Sequence, residues 1–340
     1  MEASGLPAKG SSAPYGLEVL GLGHWHPDAV IDNAFLESLG IETNDEWILE
    51  RVGIRARRTV LDLDYIRTTA NHDPLKAHEA SSATNAQAGA AAARVALQRA
   101  GVEASEIGLV LAGGCSPQLS IPAEACQIAA ELGVTATAYD VASACSSFAA
   151  QVHTLMNTKP EALPDYILVV NVEMTTRTVD YSDRSTAVLW GDGAAAAVLS
   201  PRKAGRFGVL GTVLHSDPSG WDKVSIPSGG HFRQNGSAVQ TFAIRKSGDT
   251  WKELGEWITR PDPYFIGHQA NFRMLSSVCE RAGIAPERHL SNVEEFGNCG
   301  AAGAPSVLSQ NWDRFHPGDE VGLVVVGSGL TWGGVALRAL

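Results

Sequence analysis

Cys145 stands in the run Asp140-Val-Ala-Ser-Ala-Cys145-Ser-Ser-Phe-Ala-Ala150. Its lead-in, residues 135–141, is apolar and β-branched and reads as a buried strand, while Ala149, Val152 and Leu155 lie on what reads as a closely packed helix. A cysteine at such a junction meets unpaired backbone N–H groups and the positive end of a helix dipole, which stabilise a thiolate. A thiolate there can attack a carbonyl carbon and become acylated. Cys145 equally fits a small buried hydrophobe, the ordinary state of a free cysteine. His268, in Phe265-Ile-Gly-His-Gln-Ala-Asn-Phe-Arg273, is on its own a structural histidine, and Asn298, in Phe296-Gly-Asn-Cys-Gly-Ala-Ala302, is on its own a helix N-cap. Gathered at one point, the three would be a nucleophile and two hydrogen-bond donors for a developing oxyanion.

Bringing them together is the work of alternating strands and helices. The pattern predicts strands at 16–22, 107–112, 136–141, 166–172 and 194–199, and a second set at 208–215, 264–267, 292–296, 320–326 and 334–339. Helices are expected at 85–100, 121–132, 145–156, 271–282 and 301–312. The two sets repeat one another: Cys115 and Cys145 are 30 positions apart, as are His268 and Asn298. Each second member opens a small-residue helix. A duplicated α/β unit of this kind brings both helix starts toward one centre. Residues 60–82 break the rhythm, are polar, contain Asp73-Pro74, and read as a loop or short excursion.

Composition narrows the function. The chain has 340 residues, 44% hydrophobic and 19% charged, which is ordinary for a globular protein with a sizeable core. Five cysteines without a CxxC pair or metal-type spacing favour free thiols in a reducing, cytoplasmic setting over a disulfide framework or a metal site. Residues 1–15 are rich in Gly, Ser, Ala and Pro without an apolar core, so they read as a disordered leader rather than a secretory signal. No run approaches the ~20 apolar residues of a membrane span. A net charge of −11 argues against non-specific nucleic-acid binding. It leaves room for local basic patches, of which Arg51, Arg55, Arg57 and Arg58 form the densest and Arg245 with Lys246 a smaller one.

Cys, His and Asn occur in that chain order in papain-like hydrolases and in condensing enzymes. The hydrolase signature around the cysteine is absent. Over residues 17–340 the chain resembles the β-ketoacyl-acyl-carrier-protein synthase III family of the thiolase superfamily. The motifs are Asp45-Glu-Trp-Ile48 with Arg51-Val-Gly-Ile-Arg55, Ala144-Cys-Ser-Ser-Phe148, and Asp183-Arg-Ser-Thr186 with Gly191-Asp-Gly193. They continue with His268-Gln-Ala-Asn-Phe-Arg273, Gly297-Asn298 and Gly327-Ser-Gly-Leu-Thr-Trp-Gly333. The resemblance implies an α/β, thiolase-like five-layered α-β-α-β-α fold with internal duplication, residues 16–205 carrying the nucleophile and 206–340 the His and Asn.

It also implies a decarboxylative Claisen condensation. Cys145 would accept an acyl group from acyl-coenzyme A, with His268 and Asn298 holding the malonyl-carrier-protein thioester as its enolate forms. No cofactor would be permanently bound, no metal is implied, and a homodimer is expected. Trp47 and Arg184 would sandwich the adenine of coenzyme A and Arg51 would meet its phosphates. Gln269, Ala270, Asn271 and Arg273 would receive the carrier protein. The backbone of Cys145 and of the turn around Ser328 would form a second oxyanion site. Ordinary roles compete: core packing for Trp47, and a surface helix position for Arg273.

Three departures separate this chain from typical members: the longer stretch 60–82, Ser328 where a third glycine is usual, and Ile121 before Pro122 where acetyl-selective members carry phenylalanine. Ile121 would reach the acyl pocket across the dimer interface, and one residue of pocket volume shifts chain-length preference by roughly 1–3 kcal/mol. Branched or medium-chain primers are therefore as consistent as acetyl. The rival readings are a secondary-metabolism relative (polyketide, quinolone or polyene starter condensation, or acyl transfer), a non-catalytic partner subunit of a heterodimeric synthase, and a cysteine hydrolase.

Overall fold

The computed structural model describes residues 15–340; apart from Tyr15, the leader expected over residues 1–15 lies outside them. The strands Leu109–Gly113, Ile167–Glu173, Gly193–Ser200 and Glu320–Gly327 are buried at every position. Continuous apolar runs of this kind belong to strands covered on both faces, and here helices cover both. Nine strands form the main sheet. In one half Thr137–Asp140, Leu109–Gly113, Ile167–Glu173, Gly193–Ser200 and Glu18–Trp25 lie side by side, joined parallel, parallel, antiparallel and antiparallel. In the other half Tyr264–Gly267, Glu320–Gly327, Thr331–Ala339 and Phe207–Ser216 are joined parallel, antiparallel and antiparallel. In the sheet the halves are joined where Glu18 lies opposite Gly208 and Val19 opposite Phe207.

The same pairing scheme thus occurs twice, with one strand reduced. The strand expected at 292–296 is instead the short helix Val293–Phe296, and the edge survives as a single parallel bridge from His289 to Phe265. The reason is a tertiary contact. The N–H groups of Asn292 and Val293 donate to Gln269 Oε1, at 3.0 and 3.2 Å, so they are not available to a ladder.

Helices complete five layers. Asn85–Ala100 and Glu124–Leu132 cover one outer face. The first starts on a Thr84–Gln87 capping box and packs through alanines onto Glu18–Trp25. Gly21 and Gly23 permit that approach, since a Cβ at either would come within 2.2 or 2.0 Å of a helix carbonyl, Ala96 O or Ala92 O. Glu124–Leu132 begins later than the expected 121, where Asp140 accepts the N–H groups of Glu124 and Ala125. The helices Ser147–Met156 and Gly300–Gln310 lie between the sheet halves. There Phe148, Val152, Leu155, Ala304, Val307 and Leu308 share one core with Phe207, Ile266 and Leu323.

The other outer face is covered by Gly236–Leu254 and Phe272–Ala282. The first of these is a 19-residue helix that the sequence pattern did not announce. Its buried positions Ala243, Ser247, Thr250 and Leu254 follow helical spacing, but two are hydroxyl residues that mask the stripe.

Residues 60–82 are an ordered excursion rather than an open loop. They hold the helix Leu63–Thr69 and a 3₁₀ turn Lys76–His78, closed by a bridge between Leu61 and Ser81. Buried Asn71 anchors them, its Nδ2 donating to Arg177 O and Val179 O at 2.8 Å. Among the described residues no helix is long and apolar enough to cross a membrane.

Candidate active site

Between strand Thr137–Asp140 and helix Ser147–Met156 the chain turns at Ala144, which has φ +45°, a left-handed conformation that costs a non-glycine residue about 1–2 kcal/mol. Hydroxyls hold the turn. Ser143 N donates to Ser147 Oγ at 2.9 Å, Ser147 Oγ donates to Ala144 O and Ser146 Oγ to Ser143 O, both at 2.6 Å. The result places Cys145 just before the helix, 8% exposed, on the wall of a cavity of about 430 Å³. Gly327 approaches from the opposite sheet half so closely that a Cβ there would lie 3.1 Å from Cys145 N. The neighbouring Ser328 also lines the cavity, its hydroxyl donating to Val224 O at 2.6 Å.

His268 follows strand Tyr264–Gly267 and is 7% exposed. It is set by its neighbours: Ala270 N donates to His268 O, and Gln269 Nε2 donates to Gly267 O, both at 2.7 Å. Asn298 follows Gly297, whose φ is +69°; a side chain at Gly297 would strike buried Arg57 and Leu189 O. Asn298 N donates to Leu189 O at 2.8 Å, and Gly191 N donates to Asn298 O at 3.1 Å. The carboxamide oxygen of Asn298 accepts the N–H of Gly300 at 3.0 Å. Its acceptor end is therefore committed, which leaves the Nδ2 protons as the group it can offer a ligand. Cys145, His268 and Asn298 line the same cavity.

The Cys145 thiol is held well below the ordinary cysteine range. The chief cause is a hydrogen bond with Cys115; burial opposes it, and the charge and hydrogen bond of His268 and the local N–H group add to it. Behind Cys115 lies Glu173, fully buried at the end of Ile167–Glu173. Its carboxyl group accepts Cys115 N at 3.1 Å, Ser116 Oγ at 3.0 Å and Ala301 N at 2.9 Å, and its Oε2 stands 3.1 Å from Cys115 Sγ. Burial, and then the negative charge at Cys145, push Glu173 up to about 8. In the sequence Cys115 marks only the spacing of the repeat, and Glu173 carries no assigned role. Two signals were present: a carboxylate ending a strand that opens with four apolar residues, and Cys115 occupying in the first half the place that His268 occupies in the second.

At the cavity mouth Arg51 and Arg184 both face Trp47, their Cζ atoms 4.9 and 5.0 Å from its ring centroid. A flat base held between Trp47 and Arg184 needs about 7 Å, two contacts of roughly 3.5 Å. The expected sandwich is thus not open in this structure. Arg184 would have to swing away from the indole and from Glu42 O, to which it donates at 2.5 Å.

Of the residues expected to receive a carrier protein, Ala270 and Asn271 line the cavity, and Asn271 caps helix Phe272–Ala282 through Met274 N. Arg273 is exposed and donates to Leu49 O at 3.0 and 3.1 Å. Gln269 is a correction. It is fully buried and spends both ends of its amide on Gly267, Asn292 and Val293, so it braces the His268 turn and presents nothing to a partner. Ile121 is outside the cavity and 84% exposed. Among the described residues no cluster of His, Cys, Asp or Glu is arranged to hold a metal ion.

A layered, duplicated α/β fold with an activated thiol, an imidazole and a carboxamide at one cavity defines a condensing acyltransferase of the thiolase type. The chain belongs to the β-ketoacyl-[acyl-carrier-protein] synthase III family. A family model described as 3-oxoacyl-[acyl-carrier-protein (ACP)] synthase III matches residues 139–218, and the model of that family's C-terminal part matches residues 263–339. The beta-ketoacyl-[acyl-carrier-protein] synthase III of Oceanobacillus iheyensis is 35% identical over 326 residues, covering 94% of this chain and 98% of that protein. The crystal structure of the Aquifex aeolicus synthase III superposes with a TM-score of 0.83 at 28% identity, covering 95% of this chain and 99% of that one. The Pseudomonas aeruginosa synthase III superposes with a TM-score of 0.81 at 32% identity, covering 95% and 98%.

Proposed function

We propose that this condensing enzyme starts acyl-chain synthesis by joining an acyl-coenzyme A primer to malonyl-acyl carrier protein, with Cys145 as nucleophile and His268 and Asn298 as the enolate site. The Cys145 thiolate attacks the primer thioester; the new C–S bond forms as the bond to coenzyme A breaks and its thiolate departs. Malonyl thioester then lies with its carbonyl oxygen on the imidazole N–H and on Asn298 Nδ2. Loss of carbon dioxide leaves an enolate, whose negative charge those two donors stabilise. The enolate carbon attacks acyl-Cys145, and the tetrahedral oxyanion is received by the N–H of Cys145 beside the Gly327–Ser328 turn. Collapse releases the β-ketoacyl product and restores the thiolate. The observation that carries this reading is the single cavity lined by Cys145, His268 and Asn298, with Trp47, Arg51 and Arg184 at its mouth.

In the same reading Trp47, Arg51 and Arg184 bind the nucleotide end of coenzyme A. Arg273 and the rim residues Ala270 and Asn271 meet the carrier protein, an acidic partner that a local basic rim suits despite the net charge of −11. The enzyme works as a cytoplasmic homodimer in which Ile121, exposed with Leu119 at 84% and 48%, reaches the partner's acyl pocket. The test is a panel of acyl-coenzyme A thioesters followed by malonyl-carrier protein. A mass increase on Cys145 and release of β-ketoacyl-carrier protein are expected. No adduct with any primer, in wild type as in Cys145→Ala, would sink the reading.

A further inference from the structure

Two of the three departures of this chain from typical members, residues 60–82 and Ser328, meet on one element. It is the hairpin in which Val224–Ser225 pairs with Arg233–Gln234. Val224, Phe232 and Gln234 line the cavity that holds Cys145. Phe232 is buried and packs edge-on against Trp190, ring centroids 4.6 Å apart, and Trp190 bridges to Asn298. The hairpin is therefore a wall beside the reacting groups. Two residue pairs are too few to fix its position, since an isolated hairpin is marginal even when longer. What it is tied to decides where the wall stands.

On one side Ser328 Oγ donates to Val224 O at 2.6 Å. On the other, His231 Nε2 donates to Asn71 O and Phe232 N donates to Thr178 O, both at 2.8 Å. Asn71 Nδ2 donates to the carbonyls flanking Thr178, those of Arg177 and Val179. Asn71 N donates to Thr69 Oγ1 at 3.1 Å, and its Oδ1 accepts the Tyr65 hydroxyl at 3.0 Å, so all its polar groups are engaged. Ala70 and Asn71 have left-handed φ values of +49° and +53°, disfavoured away from glycine. Such residues persist where their surroundings over-determine them. Leu75 adds an apolar contact: a Cβ on Gly229, in the hairpin's loop, would lie 3.1 Å from its Cδ2.

We propose that Asn71, acting through His231, and Ser328 are positioning residues that clamp this hairpin and so limit the bulk of the electrophile admitted to Cys145. The inference rests on the proposed function only in taking that electrophile to be the primer thioester. It gives residues 60–82 a role: none of them lines the cavity, but they hold the strand that does. With the clamp released, Phe232 can move off Trp190 and the passage widens.

The test compares two maleimides of different bulk, N-ethylmaleimide and N-cyclohexylmaleimide, on the full chain. Mass spectrometry assigns each adduct to Cys145, with Cys145→Ala as the blank. The readout is the ratio of the two rate constants, bulky over small, in which a change of intrinsic thiol reactivity cancels. His231→Ala and Ser328→Ala are expected to raise it roughly tenfold, the low end of what one methylene of pocket volume is worth. His231→Gln, whose Nε2 can still donate to Asn71 O, keeps the wild-type ratio. An unchanged ratio in either alanine variant, or His231→Gln matching a raised His231→Ala, overturns the proposal. Should His231→Ala not fold, exposed Leu75 supplies a second variant. Leu75→Ala is expected to raise the ratio, and no change there overturns the proposal. A raised ratio in a protein that takes an acyl group from no primer keeps the clamp and loses the condensation reading.

Discussion

Asn298 offers donors because its oxygen is occupied. Gly300 N holds Oδ1, and that one bond sets the direction of the amide. Asn298→Asp would keep the bond to Gly300 and replace two donors with an anion facing the developing enolate. Removing a donor of this type costs about 10²–10³-fold in turnover. Condensation is expected to fall by at least that factor, while acylation of Cys145 stays within a few-fold; quantitative mass spectrometry of the acyl-enzyme beside product assay separates the two. Equal losses in both steps would place Asn298 in the acylation machinery instead. At this scale each of the three cavity residues has an ordinary reading alone, and they were legible together through the matched spacing of the repeat and the order of the motifs around them. Gln269 was misassigned because sequence cannot say which member of His268–Arg273 turns inward. Glu173 was missed because a charged residue in an apolar strand carries meaning only once its partners, Cys115 and Ala301, are seen.

At the scale of elements, the Glu18–Trp25 strand shows what positions the site from behind. It is flanked by helix Asn85–Ala100, whose backbone rests on Gly21 and Gly23. Gly23→Ala would drive a Cβ to 2.0 Å from Ala92 O, so helix and strand must separate. Overpacking of that kind costs about 1–3 kcal/mol, and the urea midpoint should fall accordingly with an unchanged slope. An unchanged midpoint would show that the helix gives way freely. Strands were legible wherever apolar runs were continuous, and the repeat was legible from matching distances. What escaped were elements whose stripe is built of Ser and Thr, as in Gly236–Leu254, and the turn at 292–296, where a distant Gln269 side chain decides between helix and strand. Those outcomes depend on tertiary contacts that no local window contains.

For the whole molecule, burial of acids sets the response to pH. Burial pushes Glu124 up to about 7 and, with its neighbour Cys145, Glu173 up to about 8; burial also pushes Asp192 up to about 6. Each binds a proton more tightly folded than unfolded, so its contribution is full below the unfolded value near 4 and is lost as pH rises through 6, 7 and 8. His26 opposes them: burial lowers it to about 4, so its contribution is lost as pH falls from about 6.5 toward 4. Burial lowers His24, His78 and His289 as it lowers His26, and Cys145 is also held low; against these, Glu124 contributes a decline in unfolding free energy from pH 5 to pH 8. Glu124→Gln should flatten that decline by about 3 kcal/mol, the 1.36 kcal/mol per unit between 4.5 and about 7. A profile as steep in the variant as in wild type would remove Glu124 from the account. The duplicated pairing scheme carries a last consequence. The place taken by Cys115 in one half belongs to His268 in the other, and Cys145 answers to Asn298. Under the proposed function this is a division of labour: one copy would attack and the other would hold the charge. Neither half would then suffice alone, since the cavity draws its lining from both.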